Sequence, residues 1–221
     1  MLKTISTIFW KDVRIEWRTK DALSAAFVFS VLVLVIFNFT LDLNTPQGRL
    51  LSSGLFWVAF AFGSTLALNR SFAIEKQDGC VRALMLAPAD RSGIFVGKLL
   101  ANILFMFITQ LLLLPLFSMF FNVPVLPNLG TLLLVFALGA IGFSAVGTVF
   151  SAVAANTRMR EIMLPILLLP VSIPVLVAAV EATSYALGHA DEVGFWFKLL
   201  VVYDIVFVTL GFLVFEYALE D

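Results

Sequence analysis

Residues 94–121 read IFVGKLLANILFMFITQLLLLPLFSMFF, and Lys98 is their one charged residue. Wound as a helix, such a run outlasts the roughly 20 apolar residues that cross the ~30 Å hydrocarbon core of a bilayer. It reads as a membrane span with length to spare for tilt or for extension past the bilayer. Barrel strands would instead alternate in character over about 10 residues. Five further segments have the same continuous apolar character: Ala22 to Leu41, Leu51 to Leu68, Leu129 to Ala155, Ile162 to Val180 and Phe195 to Phe215. The sequence predicts an all-α protein of six spans, residues 21–221, preceded by a separate segment over residues 1–20.

Composition agrees. Of 221 residues, 61% are hydrophobic and 13% charged, with a mean hydropathy of +1.04. Soluble domains run at about 45–50% apolar and about 25% charged, so too few charges are present to cover a water-facing surface. Disorder, nucleic-acid binding and a disulfide scaffold are excluded; the net charge is −1, and Cys80 has no second cysteine to pair with.

Basic residues set the orientation. Lys3, Lys11, Arg14, Arg18 and Lys20 precede the first span, Arg70, Lys76, Arg82, Arg91 and Lys98 fall around the second connection, and Arg158 and Arg160 occupy the fourth. Only Arg49 and Lys198 fall on the other side. Lys and Arg stay cytoplasmic, so both termini are expected there. The charged start is too long and too mixed in sign for a cleaved signal peptide.

Two segments outside the spans stand out. On a helical wheel, Lys3, Thr7, Lys11, Arg14 and Arg18 share one face of residues 2–20, with Leu2, Ile5, Phe9, Trp10, Val13 and Trp17 broadly opposite. That pattern suits a helix lying in the membrane interface, as an elbow before the first span. Residues 69–93, NRSFAIEKQDGCVRALMLAPADRSG, are too polar to span and too long for a tight turn. Gly79 interrupts this segment and Pro88 stops it, predicting one or two short helices along the membrane face.

The stretch Glu75-Lys76-Gln77-Asp78-Gly79, followed by Leu84-Met85-Leu86-Ala87-Pro88, resembles the cytoplasmic segment between the second and third spans of ABC-2 type permeases. Within that group the chain is similar to the CcmB family, the haem exporter B permeases of cytochrome c maturation. The similar stretches cover most of the chain: FWKDVRIEWRTKD (residues 9–21), ALNRSFAIEKQDG (67–79), LMLAP (84–88), VGKLLAN (96–102) and MLPILLLPVSIPVLV (163–177). The resemblance implies a six-span homodimeric permease of the type V exporter kind, working in the bacterial inner membrane or an organellar equivalent. It also implies a separate ABC ATPase subunit (CcmA-like), a haem-handling membrane protein (CcmC-like), a small subunit (CcmD-like) and a haem chaperone (CcmE-like). ATP and Mg²⁺ would then sit on the ATPase and haem on the partners, with no cofactor on this chain. Glu75, Lys76, Asp78, Gly79, Arg82, Leu84 and Pro88 become the ATPase-coupling residues, and Arg158, Arg160 and Glu161 a secondary cytoplasmic contact.

The residues themselves carry no catalytic machinery. Gly93-Ile94-Phe95-Val96-Gly97-Lys98-Leu99 is one residue short of a phosphate-binding loop and has Leu99 where a Mg²⁺-binding hydroxyl belongs. Ser144 lacks a base within the bilayer, and Ala140, Ser144 and Thr148, like Ala59, Gly63 and Ala67, have the four-residue spacing of close helix packing. His189, the only histidine, lies in the outer loop SYALGHADEVG (184–194) without a second strong ligand nearby. Asp204 falls near mid-membrane, where a bare carboxylate costs about 2.5–3.5 kcal/mol or more, and is expected to face the bundle or a dimer seam, neutralised by a proton or by a hydrogen bond from Tyr203 or a Ser or Thr of another span. Pro165, Pro170 and Pro174 remove helix hydrogen bonds and are expected to kink the fifth span. Competing readings are an exporter of lipid, polysaccharide or drug, and an ATP-independent scaffold.

Overall fold

The structure, a computed structural model, describes residues 1–41, 46–77, 91–155, 160–190 and 192–218. Within them lie seven helices: α1 (Leu2–Thr19), α2 (Asp21–Thr40), α3 (Pro46–Gln77), α4 (Arg91–Phe121), α5 (Leu129–Ala155), α6 (Arg160–Ala186) and α7 (Gly194–Ala218). Helices α2 to α7 each hold a stretch long and apolar enough to cross a membrane. The chain is an all-α, six-span membrane protein, as its apolar runs predict.

Burial sorts the spans. About two thirds of the spanning windows of α3 and α5 are buried, 61% and 67%, against 22% for α2 and α7. Thus α3 and α5 form the interior, and α2 and α7 present one side each to the surroundings. Lipid is as apolar as leucine, so helices associate through shape and hydrogen bonds rather than by escaping solvent. The interior meets that demand with aromatic rings. Phe56 of α3 stacks on Phe136 of α5 at 4.8 Å and 6°, and meets Phe117 of α4 edge-on at 5.1 Å. Trp57 packs edge-on against Phe60, and its indole N–H donates to Thr183 Oγ1 of α6 at 2.9 Å. That satisfies a buried donor and ties α3 to α6.

Helix α6 runs unbroken through Pro165, Pro170 and Pro174. Its neighbour α7 bonds into the proline stretch, with Tyr203 Oη donating to the Val171 carbonyl at 2.9 Å. That bond ties α7 to α6 one residue past Pro170, whose carbonyl loses its helix donor to Pro174. At the other end of the bundle from α1, amide side chains close the turns: Asn38 donates to the Phe120 carbonyl at 2.6 Å and Asn128 to that of Ala186 at 3.0 Å.

Candidate functional site

The expected coupling segment begins as a continuation of α3. The spanning part of that helix ends near Asn69, yet the helix continues to Gln77 and carries the backbone of Glu75 and Lys76 with it. Residues 69–77 are therefore an extension of the second span rather than a separate short helix. Asp78, Gly79, Arg82, Leu84 and Pro88 lie outside the described residues, and α4 begins at Arg91. Arg158 also lies outside them, while Arg160 and Glu161 open α6.

Beside the start of α4 sits α1. Its interior side is a seam that a two-faced wheel does not reveal, with Ile8 and Glu16 buried and Thr4 and Asp12 partly so. Trp10 and Trp17 are exposed, on a second side suited to lipid, and Lys3, Arg14 and Arg18 are exposed on a third. Two glycines let the seam close on α4. A Cβ on Gly97 would stand 2.9 Å from Ile8 Cβ and 3.0 Å from the Ile5 carbonyl, and one on Gly93 would meet Thr4 at 3.3 Å. The stretch Gly93–Leu99 is thus a helix crossing, with the small-residue spacing that permits close approach.

Charge locks that crossing. Lys98, 4% exposed, places Nζ 3.5 Å from Asp12 Oδ2, and Lys11 Nζ stands 3.0 Å from Oδ1 of the same carboxylate. One turn further along α1, Glu16 turns to α2. Its Oε1 accepts the Leu23 N–H at 2.7 Å, satisfying a donor at the start of α2 that has no partner within its helix. Between the two helices the chain turns within Lys20, whose φ of 58° is left-handed. Helix α1 is therefore bolted to α4 and α2 together, at the end of the bundle where residues 70–90 emerge. In the sequence Asp12 and Glu16 pass as ordinary members of an interfacial helix; their four-residue spacing with Ile8 was the available signal.

A polar seam continues along α4. Asn102 Nδ2 donates to Thr148 Oγ1 of α5 at 2.9 Å, and one turn on Ser144 Oγ donates to Met106 Sδ at 3.0 Å. Ser144 and Thr148 are fully buried, so the stripe of small residues on α5 supplies hydrogen bonds as well as close packing. One turn beyond Met106, Gln110 is fully buried, and neither atom of its amide has a partner among the described residues.

Asp204 lies where α7 meets α5 and α6. It is 6% exposed, and a Cβ on Gly142 would come within 2.6 Å of its Oδ1 and 2.9 Å of Val175 Cγ2. Neither carboxylate oxygen has a hydrogen-bond partner among the described residues. The expected help from Tyr203 does not come, because that hydroxyl is spent on Val171. Lys198, on the same helix, is exposed. His189 follows the left-handed Gly188, with its backbone N–H on the Ser184 carbonyl at 2.9 Å. Among the described residues no three His, Cys, Asp or Glu side chains gather as a metal site.

Comparison with known proteins places this geometry. The chain is 28% identical to Heme exporter protein B of Pseudomonas aeruginosa, over 88% of its own length and 86% of the relative's. It is likewise 28% identical to Heme exporter protein B of Rhodobacter capsulatus, over 83% and 84% of the two chains. The protein of that name from Bradyrhizobium diazoefficiens aligns over 95% of this chain at 21% identity. The family described as CcmB protein matches residues 3–221, and the six-span, elbow-bearing chain belongs to that family.

Proposed function

We propose that this chain is the permease subunit of an ATP-driven complex that serves haem delivery in cytochrome c maturation. It works as a homodimer in the bacterial inner membrane with both termini in the cytoplasm. The relatives' name, Heme exporter protein B, favours haem over lipid, polysaccharide or drug. The structural observation that supports an external motor is the helical continuity of α3 from the aromatic core to Glu75 and Lys76. A helix is stiff over this length, so force applied near residue 77 reaches Phe56 and Trp57 without loss in a flexible loop. The clamped α1 then moves with α4, and α2 with α1.

The ATPase seats on residues 75–88, with Glu75, Asp78 and Arg82 offering charge and Arg158, Arg160 and Glu161 a second contact. Haem itself rides on partner proteins, and the cycle drives either haem export or release of the loaded chaperone from them. Co-expression with the ATPase tests the reading: Glu75→Lys together with Asp78→Lys should abolish co-purification and cytochrome c assembly while the permease still accumulates. Intact ATPase capture by that variant would move the contact elsewhere.

A further inference from the structure

Beneath the α1 clamp lies a crevice of about 40 Å³, enclosed by α1, α2, α3 and α4. A water needs about 10–15 Å³ by this measure, so the space takes a few waters or one small polar group. Asp12 and Glu16 of α1 contribute to its lining, as do Ser64 of α3 and Asn102 and Thr109 of α4. Lys98 and Lys11, the cations that hold Asp12, are not part of the lining.

The lining is rich in acceptors and poor in donors. Ser64 is 1% exposed, and its Oγ has no hydrogen-bond partner among the described residues. Asn102 gives one N–H to Thr148 and has its carbonyl as an acceptor, and Thr109 gives its hydroxyl proton to the Phe105 carbonyl at 2.8 Å. Glu16 receives one backbone N–H on Oε1, while a carboxylate can accept about four hydrogen bonds. A buried hydroxyl left unbonded costs stability unless something occupies the space beside it.

We propose that this crevice binds a primary ammonium group, supplied by the head group of phosphatidylethanolamine. An ammonium offers one positive charge and three N–H donors, matching the Glu16 carboxylate, the Ser64 hydroxyl oxygen and the Asn102 carbonyl, while Asp12 is already held by Lys98 and Lys11. The level is right for a head group: the crevice sits where interfacial α1 turns into α2, at Ala22 and Leu23. Its remaining lining is apolar, and Ile15, 37% exposed, leads from the crevice to the outside of the bundle, where the rest of the lipid lies. A trimethylated choline head has no N–H to donate and is too wide for the acceptors to converge on. The lipid thereby fills the underside of the α1–α2 joint.

Native mass spectrometry of the full chain, released from nanodiscs of mixed phosphatidylethanolamine, phosphatidylcholine and phosphatidylglycerol, tests this. Phosphatidylethanolamine should be retained about tenfold over phosphatidylcholine, the scale of a few hydrogen bonds to a charged group. Glu16→Gln keeps the acceptor for Leu23 but loses the charge, and should bring the two lipids to parity. Ser64→Ala breaks no hydrogen bond among the described residues and should lower the preference by a smaller factor. Equal retention in the unaltered chain, or a preference unmoved by both variants, overturns the proposal and leaves the crevice to water. Ethanolamine added to lipid-stripped protein separates the sources. A rise in thermal midpoint that Glu16→Gln abolishes assigns the site to primary amines at large; no rise, with the lipid preference intact, ties it to the whole lipid.

Discussion

Oδ2 of Asp12 lies 3.5 Å from Lys98 Nζ, and Oδ1 of the same carboxylate takes Lys11 at 3.0 Å. The two lysines are not equivalent: the Lys98 side chain is 4% exposed and that of Lys11 is 32%. Removing one partner of a buried ion pair strands the other, whereas an exposed pair contributes little. Asp12→Ala should lower stability by about 3 kcal/mol, the lower end of the range for broken buried pairs. Lys11→Ala should cost below about 1 kcal/mol. Thermal unfolding of the detergent-solubilised chain measures both, and equal losses would contradict the assignment of Lys98 as the principal partner.

Gly97→Leu should lever α1 away from α4, because even a single carbon at that position meets Ile8 and the Ile5 carbonyl at about van der Waals limits or closer. Overpacking of this kind costs about 1–3 kcal/mol. Limited trypsin digestion provides a local readout: cleavage at Arg14 and Arg18 should accelerate several-fold while cleavage elsewhere is unchanged.

Trp57 separates shape from hydrogen bonding. Trp57→Phe keeps an aromatic ring but loses the donor to Thr183, and bonds of this type in membrane bundles average about 0.6 kcal/mol with a maximum near 1.7. Trp57→Ala removes the ring from the core and should cost about 3–5 kcal/mol. A phenylalanine variant as damaged as the alanine one would mean that the indole N–H, not the packing, holds α3 to α6.

Gln110→Leu should stabilise. The side chain is fully buried and its amide has no partner among the described residues, so an apolar replacement of similar volume removes a desolvation cost of about 1–3 kcal/mol. The thermal midpoint should rise. A fall would reveal a bond made by Gln110 in the folded membrane protein, for instance to water.

Asp204→Asn tests a working role against a structural one. The amide keeps the shape of a carboxylate fitted over Gly142, so folding and accumulation should be retained. Cytochrome c assembly that drops with accumulation intact assigns Asp204 to the transport cycle; assembly at full level makes it a structural residue.

How much of this was legible depends on what hydropathy measures. It reports the free energy of moving a segment into lipid, and the six apolar runs marked the spans directly, since continuous apolar runs of this length cross lipid as helices while barrel strands alternate. It does not report which neighbour a side chain meets. Asp12 and Lys98 each look like interfacial charges, and only the fold turns them into a pair. The same limit hid the third side of α1, because a wheel divides residues by polarity while Ile8, Asp12 and Glu16 share a side despite differing in it. Polarity also misled at residues 69–77, whose charges suggested a separate element although nothing there breaks a helix before Gly79. Tyr203 was one of several groups expected to neutralise its neighbour Asp204, the others being a proton or a Ser or Thr of another span; adjacent residues on a helix point in different directions, and its hydroxyl reaches α6 instead.

The clamp between α1 and α4 also orders biosynthesis. Helix α1 leaves the ribosome before α4, and Gly93, Gly97 and Lys98 follow only after α2 and α3 have been made. Until then α1 must float on the membrane surface with Asp12 hydrated and the indoles of Trp10 and Trp17 as its moorings. Docking can therefore follow only once α4 is in place, because the depth and rotation of that helix set the groove and the cation that α1 meets.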